Sequence, residues 1–212
     1  MTSAATGPSY VVRPSRGQTR AVALVLPGGR ADSFDATHPR HLSGVRMIPF
    51  ARMLHRRGAD AGLAVWSVRY RVRGWNGEEM SPVADVRWAL AEVRKKHGEV
   101  PVVLVGHSMG GRTAVRVADD ANVVGVVALA PWLPKSEPVD QLRGRRLLIA
   151  HGTFDRVTSP RASQRFAARA EGVAAEVAFL AVRGETHAMM LRPALWHRLA
   201  TEHALADLGL QR

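Results

Sequence analysis

Val-Pro-Val-Val-Leu-Val-Gly-His-Ser-Met-Gly-Gly-Arg, residues 100–112, is the stretch on which the reading of this chain turns. Val102-Val103-Leu104-Val105 is a near-continuous apolar, β-branched run, the pattern of a strand buried on both faces of a parallel sheet. It passes without a linker into Gly106-His107-Ser108-Met109-Gly110, and a helix-compatible stretch begins at once. Strand, Gly-x-Ser-x-Gly, helix is the context in which that motif lifts a serine onto a strained turn. Glycines on either side let strand and helix approach without a Cβ between them. The Ser108 hydroxyl is then expected at the C-terminal edge of the sheet, where open α/β folds build their sites. In a chain with 19 glycines the competing reading is an accidental match; the strand before and the helix after argue against it.

Outward from this segment, similar runs recur at Ala21–Pro27, Leu63–Tyr70, Val123–Ala130, Arg145–His151 and Glu176–Val182, with helical or loop segments between them. Alternating strands and helices predict an α/β domain, a doubly wound, mostly parallel sheet of about six to seven strands flanked by helices. Ser81-Pro82 and Ser159-Pro160 each place an N-cap hydroxyl before a proline of the first turn. Val83, Val86, Leu90 and Val93 fall on one face of the first of these helices, and Leu195, Leu199 and Ala206 on one face of the last helix. Gly28 to Val45 is too long for a mere connection and is expected to be functional or mobile. No repeat, linker or second domain is visible, so 20–212 reads as one domain, with 1–19 a flexible N-terminus or an edge strand.

Composition narrows the function classes. A chain of 212 residues, 46% hydrophobic and 23% charged, can bury a real core. No apolar run reaches the ~20 residues that span a bilayer, and Met1 to Arg20 lacks the apolar stretch of a secretory signal; a cytoplasmic protein is expected. The absence of cysteine excludes disulfides, thiolate nucleophiles and Cys-ligated zinc. The net charge of +12 raises the question of nucleic acid, but its basic residues are scattered and almost all arginine, without a basic block or binding motif. No nucleic-acid partner and no stable membrane insertion are therefore expected; weak attraction to anionic substrates stays open.

A serine hydroxyl is a poor nucleophile until a base takes its proton. Of the nine histidines, His187 stands apart, in a Gly-containing loop after the last strand (Val-Arg-Gly-Glu-Thr-His). His107 is the nearest rival, but inside the turn its side chain should point away from the Ser108 hydroxyl. The acid that orients the base is expected after another strand, and His-Gly-Thr-Phe-Asp-Arg-Val supplies Asp155. Its carboxylate would fix the His187 tautomer and stabilise the imidazolium. An Asp merely capping the turn before Ser159 is the bland alternative; the chain order Ser, Asp, His favours the catalytic one. An oxyanion hole needs two N–H donors: that of Met109, directly after the nucleophile, and one from Leu26-Pro27-Gly28-Gly29-Arg30, either Gly29 or its neighbour Arg30.

Together, Leu-Pro-Gly-Gly, Gly-His-Ser-Met-Gly-Gly, His-Gly-Thr-Phe-Asp-Arg-Val and Gly-Glu-Thr-His resemble the α/β-hydrolase superfamily, over roughly Ala21 to the C-terminus. The likeness is to its small lidless serine hydrolases: carboxylesterases, acyl-protein thioesterases and dienelactone-hydrolase-like proteins. It implies cleavage of an ester or thioester through an acyl-enzyme, with no cofactor and no metal. Two features depart from the pattern. Pro27 stands where many relatives have His, which leaves the backbone donor at Gly29 intact. Dienelactone hydrolases proper use a cysteine, so that activity is not implied. Pro131–Gly144, where larger relatives insert a lid, is too short for one, so no lid domain is expected. Alternatives in other classes are a non-catalytic ligand-binding protein on the same fold, and an acyltransferase or peptidase using the same triad.

The substrate pocket is less defined. Arg30, the Arg71–Asn76 loop with Arg71 and Trp75, and Trp132 leave strands at the same sheet edge. They read equally as a binding rim for a small-molecule ester and as fold-stabilising packing. His38 and His41 lack the ligand spacing of a metal site. Neither the oligomeric state nor the acyl and alcohol specificity is written in the sequence.

Overall fold

The computed structural model describes residues 7–211. Seven strands form one sheet: β1 (Ser9–Arg13), β2 (Ala21–Leu26), β3 (Leu63–Arg69), β4 (Val102–His107), β5 (Val123–Leu129), β6 (Arg146–Gly152) and β7 (Glu176–Val182). They lie in the order β1-β3-β2-β4-β5-β6-β7, all parallel except β1, which runs antiparallel to β3 at the edge. The six expected runs are the six parallel strands, to within about two residues at each end. Strand β4 starts at Val102 because Pro101 before it has no N–H for the ladder.

The continuous apolar runs follow from cover on both faces. Along β2, Val22, Leu24 and Leu26 join the core beneath α3 (Ser81–His97), α4 (Met109–Arg116) and α5 (Pro160–Ala170). Ala21, Ala23 and Val25 join the opposite core beneath α2 (Ile48–Gly58) and α6 (Pro193–Asp207). With no face left to water, strict polar alternation disappears. In α3, Val86, Leu90 and Val93 are buried as their spacing predicts. In α6 the buried face is Trp196, Ala200, Ala204 and Leu205, and the expected Leu195, Leu199 and Ala206 are half-buried at its flank.

Ser159 caps α5 as expected, its hydroxyl accepting from the Ala162 N–H at 3.2 Å. Ser81 does not cap α3. Met80 holds the cap position with φ 46°, and the Ser81 hydroxyl, already inside the helix, donates to Glu79 at 2.6 Å. The long stretch after β2 is not loose either. It zips onto the loop after β3 through Arg30 N–H to Arg73 O (2.8 Å), Gly74 N–H to Ser33 O (2.8 Å), Arg73 N–H to Asp35 O (3.0 Å) and Thr37 N–H to Arg71 O (3.1 Å), and then forms the short helix α1 (Leu42–Val45). Between β5 and β6 there is one short 3-10 turn and no helical hairpin. Among the described residues no helix is long and apolar enough to cross a membrane.

Candidate active site

Ser108 sits between β4 and α4 at φ 56°, a left-handed value that a non-glycine residue adopts only under constraint. The constraint is visible. The Ser108 N–H donates to Leu129 O at 3.0 Å, and its carbonyl accepts from Gly111, Arg112 and Trp132 N–H. A Cβ at Gly106 would collide with the Gly110 carbonyl, and one at Gly110 with the carbonyls of Leu26 and Pro27. Both glycines are therefore demanded by the closeness of strand and helix.

Three side chains from three loops meet at the C-terminal sheet edge. Ser108 Oγ stands 3.1 Å from His187 Nε2, and His187 Nδ1 stands 2.8 Å from Asp155 Oδ2. Burial works against the charge on Asp155, but hydrogen bonds from His151, His187 and the backbone of Thr158 and Val157 outweigh it and hold the carboxyl well below the usual carboxylate range. An ionised Asp155 can only accept, so His187 Nδ1 carries the proton and Nε2 is left to accept from the Ser108 hydroxyl. The same logic runs one step further. His151 Nε2–H donates to Asp155 Oδ2 at 3.1 Å, which leaves its Nδ1 to accept from the Ser163 hydroxyl at 2.9 Å. Val157 and Thr158 N–H hold the other carboxylate oxygen at 2.8 and 2.9 Å, and the Thr158 hydroxyl adds a bond to Oδ2 at 2.9 Å.

His187 is held from behind. His107 is buried and donates from Nε2 to the His187 carbonyl at 3.0 Å. Burial, together with the neighbouring His187 and Arg46, pushes His107 down to about 3, so it is neutral at any working pH. It makes no hydrogen bond to Ser108 Oγ, in keeping with the expectation that it points away. Glu185, fully buried two residues before His187, accepts from Leu191 N–H at 3.1 Å and from Trp196 Nε1–H, which ties the loop to α6. Sequence reasoning did not single out His151, Thr158, Ser163 or Glu185. For the first three the signal available was the polar residues on either side of Asp155, His151 at a strand end and Thr158 and Ser163 around a helix start, whose convergence shows only in the fold.

The two candidate oxyanion donors, Gly29 and Arg30, differ in occupancy. Arg30 N–H is already bonded to Arg73 O at 2.8 Å. Gly29 N–H and Met109 N–H, the latter at the first position of α4, make no hydrogen bond among the described residues. The two segments touch: a Cβ at Gly29 would stand 2.6 Å from Met109 Sδ.

The four expected substrate residues part company. Arg30 lines a cavity of about 720 Å³ together with Gly28 and Gly29. Arg71 does not face it: its Nε donates to the buried Asp85 at 2.6 Å. Trp75 is 2% exposed, with the Arg112 guanidinium 3.7 Å above its ring. Trp132 is half-buried and packs on the same guanidinium at 4.5 Å. For Arg71 and Trp75 the packing reading replaces the binding one, because a buried acid and a buried cation need them as partners. His38 and His41 pair with each other, and among the described residues no three metal-ligating side chains converge.

The sequence model of the alpha/beta hydrolase family matches residues 23–208. No curated protein matches the chain. Among solved structures, an alpha-beta serine hydrolase homologue from Coxiella burnetii aligns with a TM-score of 0.69 at 18% identity, over 92% of this chain and 91% of that one. A monoacylglycerol lipase from Paleococcus ferrophilus aligns at 0.68 and 16% identity, over 95% and 100%. A thermophilic esterase from the planctomycete Thermogutta terrifontis, with butyrate bound, aligns at 0.70 and 17% identity, over 96% and 90%. At these identities the likeness is one of fold.

Proposed function

The chain belongs to the alpha/beta hydrolase family, and from that premise we propose that it is a serine hydrolase cleaving carboxylic ester or thioester bonds through an acyl-enzyme on Ser108. The observation that carries this reading is the unbroken hydrogen-bonded path from Ser108 Oγ through His187 to Asp155, at 3.1 and 2.8 Å. It begins at a serine whose strained backbone exposes the hydroxyl at the sheet edge.

In the proposed reaction Ser108 Oγ attacks the carbonyl carbon as its proton passes to His187 Nε2. The resulting oxyanion is held by the N–H groups of Gly29 and Met109, preorganised because neither has another partner among the described residues. Collapse breaks the bond to the leaving alcohol or thiol, which takes the proton from His187. Water then repeats the sequence against the acyl-enzyme: its proton goes to His187, its oxygen to the acyl carbon, and Ser108 recovers its hydrogen as the acid departs. Asp155 stays ionised throughout and stabilises the imidazolium of each half-reaction.

The test is hydrolysis of a short 4-nitrophenyl ester together with labelling by a fluorophosphonate probe. Wild type should turn over and be labelled once, at Ser108. The folded Ser108→Ala protein should do neither, with turnover down on the order of 10⁶-fold, since nothing replaces the nucleophile. Near-wild-type hydrolysis by that variant would sink the assignment.

A further inference from the structure

The cavity beside the oxyanion loop is built for charge. It lies between the ends of β1 and β3 on one side and Thr37–Gly44 on the other, and it reaches Pro27–Arg30. Its volume of about 720 Å³ falls in the range of sites that enclose a whole small molecule. Arg13, Arg30, Arg40, Arg69 and Arg73 line it, with no Asp or Glu among the lining residues.

Some of the less exposed arginines elsewhere are neutralised in place, Arg71 with Asp85, Arg94 with Asp120, and Arg112 and Arg116 with Glu137. In the cavity, among the described residues, only Arg73 has a carboxylate within reach, Asp35 at 3.9 Å, and that side chain is 72% exposed. Arg69 directs its Nε to the neutral Ser9 hydroxyl at 2.8 Å. Like charges gathered round one partly enclosed space repel more strongly than in open water, and an anion between them removes the repulsion. Within the cavity His41 is disfavoured as a cation first by burial, then by Arg73, His38 and Arg30, with Asp35 opposing.

Resting on the serine hydrolase reading above, we propose that the substrate is an ester or thioester bearing an anionic group, phosphate or carboxylate, which this arginine-lined cavity holds while Ser108 attacks. The sheet order sets the reach. Strands β1, β3, β2 and β4 are consecutive neighbours, so at ~4.8 Å per strand the β1–β3 wall stands roughly 10–14 Å from the nucleophile turn on β4. The charge therefore belongs on a substrate extended by about eight to ten bonds from the scissile carbonyl, not on one next to it.

The test compares 4-nitrophenyl hydrogen suberate, whose acyl chain ends in a carboxylate, with neutral 4-nitrophenyl octanoate. Ionic strength is held near 0.15 M so that long-range steering is screened. Wild type should prefer the anionic ester by about tenfold in kcat/KM, the effect of one charge-assisted hydrogen bond. In Arg40→Ala/Arg69→Ala, which removes two exposed side chains, the ratio should fall towards one. A second arm titrates inorganic pyrophosphate into folded Ser108→Ala by calorimetry, where saturable binding is expected and should be lost when the two arginine substitutions are added. Preference for the suberate ester without pyrophosphate binding identifies the group as a carboxylate; the converse identifies phosphate. No anionic preference and no saturable binding overturn the proposal even if both esters are hydrolysed. If neither ester is hydrolysed, the serine hydrolase reading fails while the calorimetry still decides the cavity.

Discussion

Asp155 carries more partners than orienting one histidine requires. Its Oδ1 accepts two backbone N–H groups, and its Oδ2 faces His187, His151 and the Thr158 hydroxyl together. In Asp155→Asn the backbone donors would keep the amide oxygen at the Oδ1 position, so the NH₂ group must take the place of Oδ2. It would then donate to His187 Nδ1, drive the imidazole proton onto Nε2 and remove the acceptor that Ser108 needs. The expected loss is ~10⁴-fold in kcat, as for the corresponding change in serine proteases, and a steady-state assay on a short ester reads it. If Asp155→Asn keeps full activity while loss of another carboxylate abolishes it, the orienting acid has been misnamed. The residues Ser108, Asp155 and His187 were legible because each follows a strand in a fixed order along the chain. His151 was not, because a histidine at a strand end carries no sign that its ring will bridge Asp155, four residues on, and Ser163, twelve residues on.

One step up in scale, the nucleophile turn rests on α4, and α4 is clamped by a buried cluster. Glu137, with a side chain 0% exposed, receives the guanidinium groups of Arg112 at 2.5 Å and of Arg116. Arg112 in turn packs on both Trp75 and Trp132 at 3.7 and 4.5 Å, two rings that meet edge to face at 6.1 Å. The cluster joins α4, the loop after β3 and the segment between β5 and β6. This explains why that segment lies down on the body of the protein instead of arching over the site. Glu137→Ala leaves Arg112 buried without a counter-charge, and removing one partner of a buried pair costs about 3 kcal/mol or more. With a denaturant slope of ~2–3 kcal/mol/M expected for this size, the urea midpoint should drop by about 1 M. A shift too small to resolve would mean that water or another acid compensates Arg112. The sequence alone weighs the pocket and packing readings of these residues evenly, and the structure places Arg30 at the cavity but Arg71 and Trp75 in packing contacts. Aromatic and arginine residues at a sheet edge look the same in one dimension whether they line a pocket or stack on each other. What decides is the position of Glu137, which the periodicity of its irregular segment does not encode.

For the whole molecule, the mostly parallel sheet and the alternation of strands and helices are readable because burial on both faces writes itself as uninterrupted apolar runs, whereas the strand order is not written in those runs. The edge strand β1 reads in the sequence as either strand or loose terminus, since its partly exposed positions (Ser9–Arg13) carry no such signature. The missing lid was readable from segment length alone, and it has a consequence. Without a lid, a neutral acyl chain leaving the oxyanion loop meets either solvent or the arginine-lined cavity. In solvent a methylene gains none of the ~0.8 kcal/mol that burial confers. In the cavity it would have to displace water from guanidinium groups, a cost without return. Catalytic efficiency on unbranched neutral 4-nitrophenyl esters should therefore rise over the first few carbons and level off near butyrate. Had burial continued, each added methylene would have multiplied kcat/KM by about fourfold. No rate jump should appear as a substrate crosses its solubility limit, because no cover has to open. Efficiency that keeps climbing to the twelve-carbon ester, or strong activation on emulsified substrate, would mean that the Gly28–Val45 segment swings over the site despite its hydrogen bonds to the loop after β3.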